Sequence, residues 1–164
     1  MGDNAGTQVT RAGRAGQPPR SELAALSEEE CWDLLRGHDL GRLAIVVGEA
    51  PLIFPINYAA HAGALVFQTA PGTKLDRGPG SRAAFEIDGY DERSAAGWSV
   101  LASGVLQDIS DAVDHFAVEL RAIAVWPIAP GLRASRLALY VDVVSGRRFS
   151  GNAAVPPFPF VSRA

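Results

Sequence analysis

Three apolar runs crowded between Gly41 and Thr69 limit the folds open to this chain. GRLAIVV (41–47) is followed by the turn Gly48-Glu49-Ala50-Pro51. LIFPINYA (52–59) is followed by a turn around His61-Ala62-Gly63, and ALVFQT (64–69) ends at Pro71-Gly72. Parallel neighbours need a crossover of about a dozen residues, so connections this short predict three antiparallel strands. Pro55 is the exception within them. Proline donates nothing to a ladder, which places it at an edge, at a bulge, or where pairing gives way to something else.

Three further strands are predicted: RAAFEID (82–88), GWSVLASGVLQDI (97–109) and RLALYVDVVSG (136–146). Gly104 is placed for a bend or bulge. Leu137, Leu139, Val141 and Val143 alternate along the last run. Ser27 and Glu30 make a capping box for a helix over 28–36, with Glu28 and Glu29 at its positive end. Leu26 and Cys31 form a hydrophobic staple, Trp32, Leu34 and Leu35 an apolar side, and Gly37 the stop. A second helix is expected over 112–124, capped by Ser110 or Asp111, with Val113, Phe116, Ala117, Leu120 and Ala124 on one face. Residues 72–79 allow a short helical turn, and Trp126 to Gly131 a rigid connector. Six strands with so few helices are a mainly β pattern. They suit a six-stranded antiparallel barrel with flanking helices, not a doubly wound sheet. The expected organisation is a disordered tail over 1–22, one domain over 23–149 and a Pro-rich tail over 150–164.

Composition excludes several function classes. At 164 residues with 48% hydrophobic and 20% charged side chains, one soluble core is expected. The net charge of −3 is spread over both signs, so no nucleic-acid face stands out, and Arg11, Arg14 and Arg20 are thin support for a binding arm. A single cysteine, Cys31, rules out an intrachain disulfide and reads as a structural thiol. His38, His61 and His115 share no metal-ligand spacing, so no metal is expected. No G-x-S-x-G elbow points to hydrolysis. No run approaches the ~20 apolar residues of a membrane helix, and the N-terminus has no secretory apolar core. A cytoplasmic protein without membrane or nucleic-acid partners is the expectation.

The chemistry concentrates in FQTAPGTKL (67–75). A strand end gathers the Thr69 and Thr73 hydroxyls, free backbone N–H groups and the ammonium of Lys74, which together suit a phosphate monoester. Lys74 is the only lysine, beside fourteen arginines. Along the second strand Pro55 and Asn57 share one face, and Leu52, Phe54, Ile56 and Tyr58 share the other, which should point into the barrel. Asn57 offers both a donor and an acceptor to a planar ligand. Trp126 reads as core or dimer-interface packing. Trp98 is either packing or a ring contact. Glu86 either faces solvent or pairs with Arg42 or Arg82.

The order GRLAIVV, PLIFPINYA, ALVFQTAPGTKL, AAFEIDGYD, GWSVLASGVLQDI and a closing GRRF resembles the pyridoxamine 5'-phosphate oxidase-like family of flavin-binding split β-barrels, over roughly residues 27–149. It is closest to the small actinobacterial-type branch. The resemblance implies a homodimer with FMN, or in some branches the deazaflavin F420, in a groove at the interface. It implies that Phe54, Pro55, Ile56, Asn57 and Tyr58 run along the isoalloxazine with backbone groups toward its polar edge. Gln68, Thr69, Thr73 and Lys74 would hold the ribityl phosphate. Phe85, Glu86 and Ile87 would lie beside the groove, and Trp98, Ser99 and Val100 would approach the ring, either within the chain or from the partner subunit. Vitamin B6 oxidation is not expected, because Arg133, Arg136, Arg147 and Arg148 do not align with that enzyme's substrate site. The implied function is a flavin-dependent oxidoreductase acting on an unidentified small molecule; the alternatives are an F420-dependent reductase and a flavin- or haem-binding carrier or sensor without turnover.

Overall fold

The computed structural model describes residues 22–69, 78–126 and 135–150. The elements in chain order are β1 (Glu22–Leu26), α1 (Glu28–Gly37), β2 (Leu40–Val47), β3 (Ala50–His61), β4 (Ala64–Thr69), β5 (Arg82–Asp91), β6 (Ala96–Asp108), α2 (His115–Ala122) and β7 (Ser135–Ser150). All the pairings are antiparallel. The sheet runs β1-β7-β4-β3-β2-β5-β6, and β6 pairs back onto β7. Six strands therefore close a split β-barrel, as expected. β1 is a seventh strand that the sequence pattern did not show. It lies on the last residues of β7, from Leu26 opposite Gly146 to Glu22 opposite Ser150.

The barrel is filled by one alternate set of side chains from each strand. Leu43, Ile45, Ile56, Tyr58, Phe67, Phe85, Ile87, Val100, Leu106 and Leu139 are all buried in it. The Tyr58 and Phe85 rings meet edge-on at 4.6 Å between centroids, a favoured aromatic geometry. β4 is buried on both faces. Leu65 and Phe67 face the barrel, while Ala64 and Val66 face a smaller cluster made with Ala117 and Leu120 of α2. α1 closes one end of the barrel with Cys31 and Leu35, both fully buried. Its capping box is present: Ser27 Oγ accepts from the Glu30 amide, and the Glu30 carboxylate accepts from the Ser27 amide at 2.8 Å. Burial pushes the Cys31 thiol pKa up, in keeping with a structural role.

Two expectations are corrected. α2 begins at His115 and is capped by Asp114, whose side chain accepts from the Ala117 amide, not by Ser110 or Asp111. Val113 consequently lies before the helix and is 93% exposed. Val143 does not continue the inward row of β7 and is also exposed. The pairing with β6 slips between Ser103 and Gly104, so Ser103 faces Val143 and Gly104 faces Val141. The extra residue, Asp142, reverses the alternation, and Val144 packs on the core instead. A Cβ at Gly104 would run into the Tyr140 carbonyl, so the bulge requires glycine there. The tails and the turn expected over 72–79 lie largely outside the described residues, as does most of the connector after Trp126.

Candidate functional site

The barrel opens at β3. The first part of the strand, Ala50 to Asn57, pairs only with β2, and the last part, Tyr58 to His61, only with β4. Pairing changes hands between Asn57, opposite Leu40, and Tyr58, opposite Phe67. Pro55 sits just before the change, opposite Arg42. This is the place without continued pairing that its missing N–H demands. Gln68 and Thr69 at the end of β4 pair with Arg136 and Ser135 of β7 and with nothing of β3. A wedge-shaped gap therefore lies between the first half of β3 and the end of β4.

Several polar groups border that gap. Asn57 is half-buried and donates from Nδ2 to the Trp126 carbonyl at 2.7 Å, which leaves its Oδ1 as an acceptor. Trp126 is held by this backbone contact while the residue is 82% exposed, so of the two alternatives, core and dimer-interface packing, the core one does not hold. Gln68 is half-buried. Thr69 is 6% exposed, and its hydroxyl has no hydrogen-bond partner among the described residues. An unmet buried hydroxyl costs about 1–3 kcal/mol, so Thr69 stands out at the head of the segment that carries Thr73 and Lys74. Those two residues lie outside the described residues.

On the far side of Pro55 a cavity of about 200 Å³ is lined by Leu40, Gly41, Arg42, Pro55 and Asp88. Arg42 spans Asp88 at 2.6 Å and Glu86 at 2.9 Å. The Asp88 hydrogen bond and charge, with Glu86 behind them, push the Arg42 guanidinium further toward its charged form. Glu86 thus pairs with Arg42, while Arg82 forms a forked pair with Asp142.

Strand alternation separates the other predicted residues. Ile56 and Tyr58 point into the barrel, and the Tyr58 hydroxyl donates to the Leu35 carbonyl at 2.8 Å. Its burial raises the phenol pKa, so it stays a donor. Phe54 packs partly against the same core. Their backbone groups turn toward β2, as the Tyr58 amide does to the Asp39 carbonyl, so the bare edge carries the backbone of Pro55 and Asn57 instead. Phe85 and Ile87 are core residues, and Val100 is fully buried. Ser99 is exposed and pairs with Asp88, on the outer face. Trp98 faces the other way, with Gly89 and Arg148 in register beside it.

Trp98 lines a larger cavity of about 420 Å³ with His38, Gly89, Tyr90, Asp91, Ala96, Gly97 and Arg148. β2 and β5 part beyond the pair Arg42–Glu86, and both cavities lie along that seam. The sequence reading missed His38, Gly89, Leu40, Arg42, Asp88 and Arg148 as site residues. One signal was available: an antiparallel hairpin that pairs Asp91 with Ala96 must set Gly89 against Trp98.

With this geometry in place, known proteins can be compared. A family model described as pyridoxamine 5'-phosphate oxidase matches residues 27–148. The structure of an FAD-binding protein from Mycobacterium smegmatis is similar at 32% identity and a TM-score of 0.64, covering 77% of this chain and 97% of that one. An FAD-binding protein from Mesorhizobium loti shares the fold at 23% identity and a TM-score of 0.63, covering 80% and 99%. An uncharacterised protein of Mycobacterium tuberculosis is 26% identical over 149 residues, 87% of this chain and 96% of the relative.

Proposed function

The chain belongs to the pyridoxamine 5'-phosphate oxidase family, and on that premise we propose that it binds a flavin nucleotide, FMN, in the wedge between β3 and β4, at an interface with a second copy of itself. The observation that carries this reading is the buried, unpartnered Thr69 hydroxyl at the head of the segment containing Thr73 and Lys74. A phosphate beside it would accept a hydrogen bond from the hydroxyl and answer the Lys74 charge. Gln68 and Asn57 add amide groups at the same gap, from the other face of the sheet. The bare edge of β3 offers a planar ring the Pro55 carbonyl and the Asn57 amide and carbonyl. Ser99 lies on the outer face beside Asp88.

The similar Mycobacterium smegmatis structure is of an FAD-binding protein. FAD and FMN share the ribityl phosphate and ring that these residues would hold, so the likeness supports the flavin and leaves FMN against FAD to the titration below. When bound, a flavin supplies hydride or electron transfer, and the protein supplies position and a shielded ring. An oxidoreductase is the function proposed.

The second copy is supported by the outer face of the barrel. Ile53, Ala44, Ala84, Ser103 and Val143 follow one another in register across five strands. Ile53 is 68% and Val143 57% exposed, with small side chains between them. Val46 and Leu101 extend this apolar surface, which a second copy would cover.

The test is to titrate purified protein with FMN, FAD and F420 and to identify any co-purifying ligand by mass spectrometry. Saturable uptake of FMN by a dimer is expected, followed by reduction of the bound flavin by NADPH or NADH. A protein that takes up none of the three overturns the proposal. Uptake without reduction by any donor moves the reading to a flavin carrier.

A further inference from the structure

We propose that the larger cavity, at the end of the barrel beside α1, is a separate binding site for a planar aromatic carboxylate. The wedge proposed for the flavin is bordered by β3 and β4. This cavity is walled instead by β5, β6 and β7 and by the α1–β2 junction.

Its walls have a consistent chemistry. The His38 and Trp98 rings pack at 4.9 Å between centroids, tilted by 58°, and make one aromatic wall. His38 Nδ1 meets the Leu34 carbonyl at 2.8 Å. A carbonyl only accepts, so Nδ1 carries the proton and the ring is fixed in orientation. Gly89 makes room for the indole. A Cβ there would stand 2.7 Å from Trp98 Nε1 and Cε2, so any other residue would displace the ring. Tyr90 lines the cavity too, and its ring stacks on Phe149 at 6.1 Å. The space, about 420 Å³, is within the usual range for small-molecule pockets.

Charge selects the ligand further. Among the described residues, two charged side chains line the cavity, Asp91 and Arg148. The Asp91 carboxylate is already committed, accepting from the Arg93 amide and the Ser94 hydroxyl at 2.9 Å each. Those bonds hold it in the β5–β6 turn. Arg148 has one carboxylate near it among the described residues, Glu30 at 3.9 Å, beyond hydrogen-bonding distance. The Glu30 carboxylate is itself held by the Ser27 amide and hydroxyl. The guanidinium therefore has its donors to offer to a carboxylate, for which its planar fork is suited. An aromatic wall with an uncommitted guanidinium at its rim fits a flat ring bearing an anionic group.

The probe is 2-naphthoate, with 2-naphthamide as its uncharged counterpart, titrated by calorimetry into wild type and Arg148→Gln. Arg148 is half exposed, so the variant is expected to fold. Wild type should bind naphthoate saturably and about tenfold more tightly than naphthamide, the ratio that 1.4 kcal/mol provides. Arg148→Gln should remove that preference and leave naphthamide binding unchanged. Trp98→Leu should weaken both ligands. No saturable binding by wild type, or an equal preference in Arg148→Gln, overturns the proposal. Repeating the titration with FMN saturating keeps the two sites distinct. Unchanged naphthoate affinity supports a separate site, and competitive displacement overturns it while leaving flavin binding intact. Naphthoate binding in a protein that takes up no flavin sustains this site and removes only the flavin reading.

Discussion

The two halves of β3 belong to one strand and behave as two. Tyr58 to His61 are paired with β4, and Tyr58 is buried with its hydroxyl bonded across to α1. Ala50 to Asn57 are paired only with β2, and Ile53 and Pro55 lie open to solvent. β7 changes partners in a similar way, from β4 over Ser135–Tyr140 to β1 over Gly146–Ser150, but β6 runs beside it through the change and no gap opens. At β3 no strand spans the change. One bond, from the Tyr58 amide to the Asp39 carbonyl at 2.9 Å, stitches it. Backbone polarity left unpaired at that point is a cost to folding and an opportunity for a ligand.

The contrast can be broken by mutation. The largest effect is expected on the covered side. Phe67→Ala, at a fully buried ring, should cost about 3–5 kcal/mol in urea unfolding. Ile53→Ser on the bare half should change the stability of the isolated chain by no more than about 0.5 kcal/mol. It should instead shift a dimer toward monomer in sedimentation velocity, and an unchanged assembly would remove Ile53 from the interface. Next, Gly104→Ala should cost about 1–3 kcal/mol by forcing a methyl group against the Tyr140 carbonyl. Tyr58→Phe should cost about 1 kcal/mol, the usual net value of one buried hydrogen bond.

The smallest effect depends on pH. The Arg82 hydrogen bond holds Asp142 below its ordinary pKa of 3.8. A carboxylate depressed in the folded state stabilises above the unfolded value, and that contribution fades as pH falls through the folded value. The stability difference between wild type and Asp142→Asn should therefore be constant near neutrality and shrink below about pH 4. A difference that grows on acidification would contradict the pairing.

Much of the barrel was legible in the sequence because short turns and alternating apolar residues are local signals. The runs at 41–47, 52–59 and 64–69 each became a strand, and Pro55 correctly marked a break in pairing. β1 was not legible. ELAAL has neither β-branched residues nor clear alternation, and its strand exists because the end of β7 offers it an edge. Val143 was misplaced because a bulge reverses every later side chain, and the sequence marks only Gly104, not the extra residue across from it. In the candidate site, Gln68 and Thr69 were legible as polar residues at a strand end, and Asn57 by sharing a face with Pro55. Arg42, Asp88, His38 and Arg148 were not, because their proximity comes from register between strands distant in sequence.

The most direct test of the central claim is the flavin-induced rise in melting temperature of Thr69→Val beside wild type. Valine keeps the shape and removes the unpartnered hydroxyl. If that hydroxyl is kept to meet a flavin phosphate, the ligand-free variant should melt at the wild-type temperature or higher, and the rise on adding FMN should be smaller at every concentration. A variant that loses stability without ligand, yet gains as much from FMN as wild type, would contradict the account and return Thr69 to a structural role.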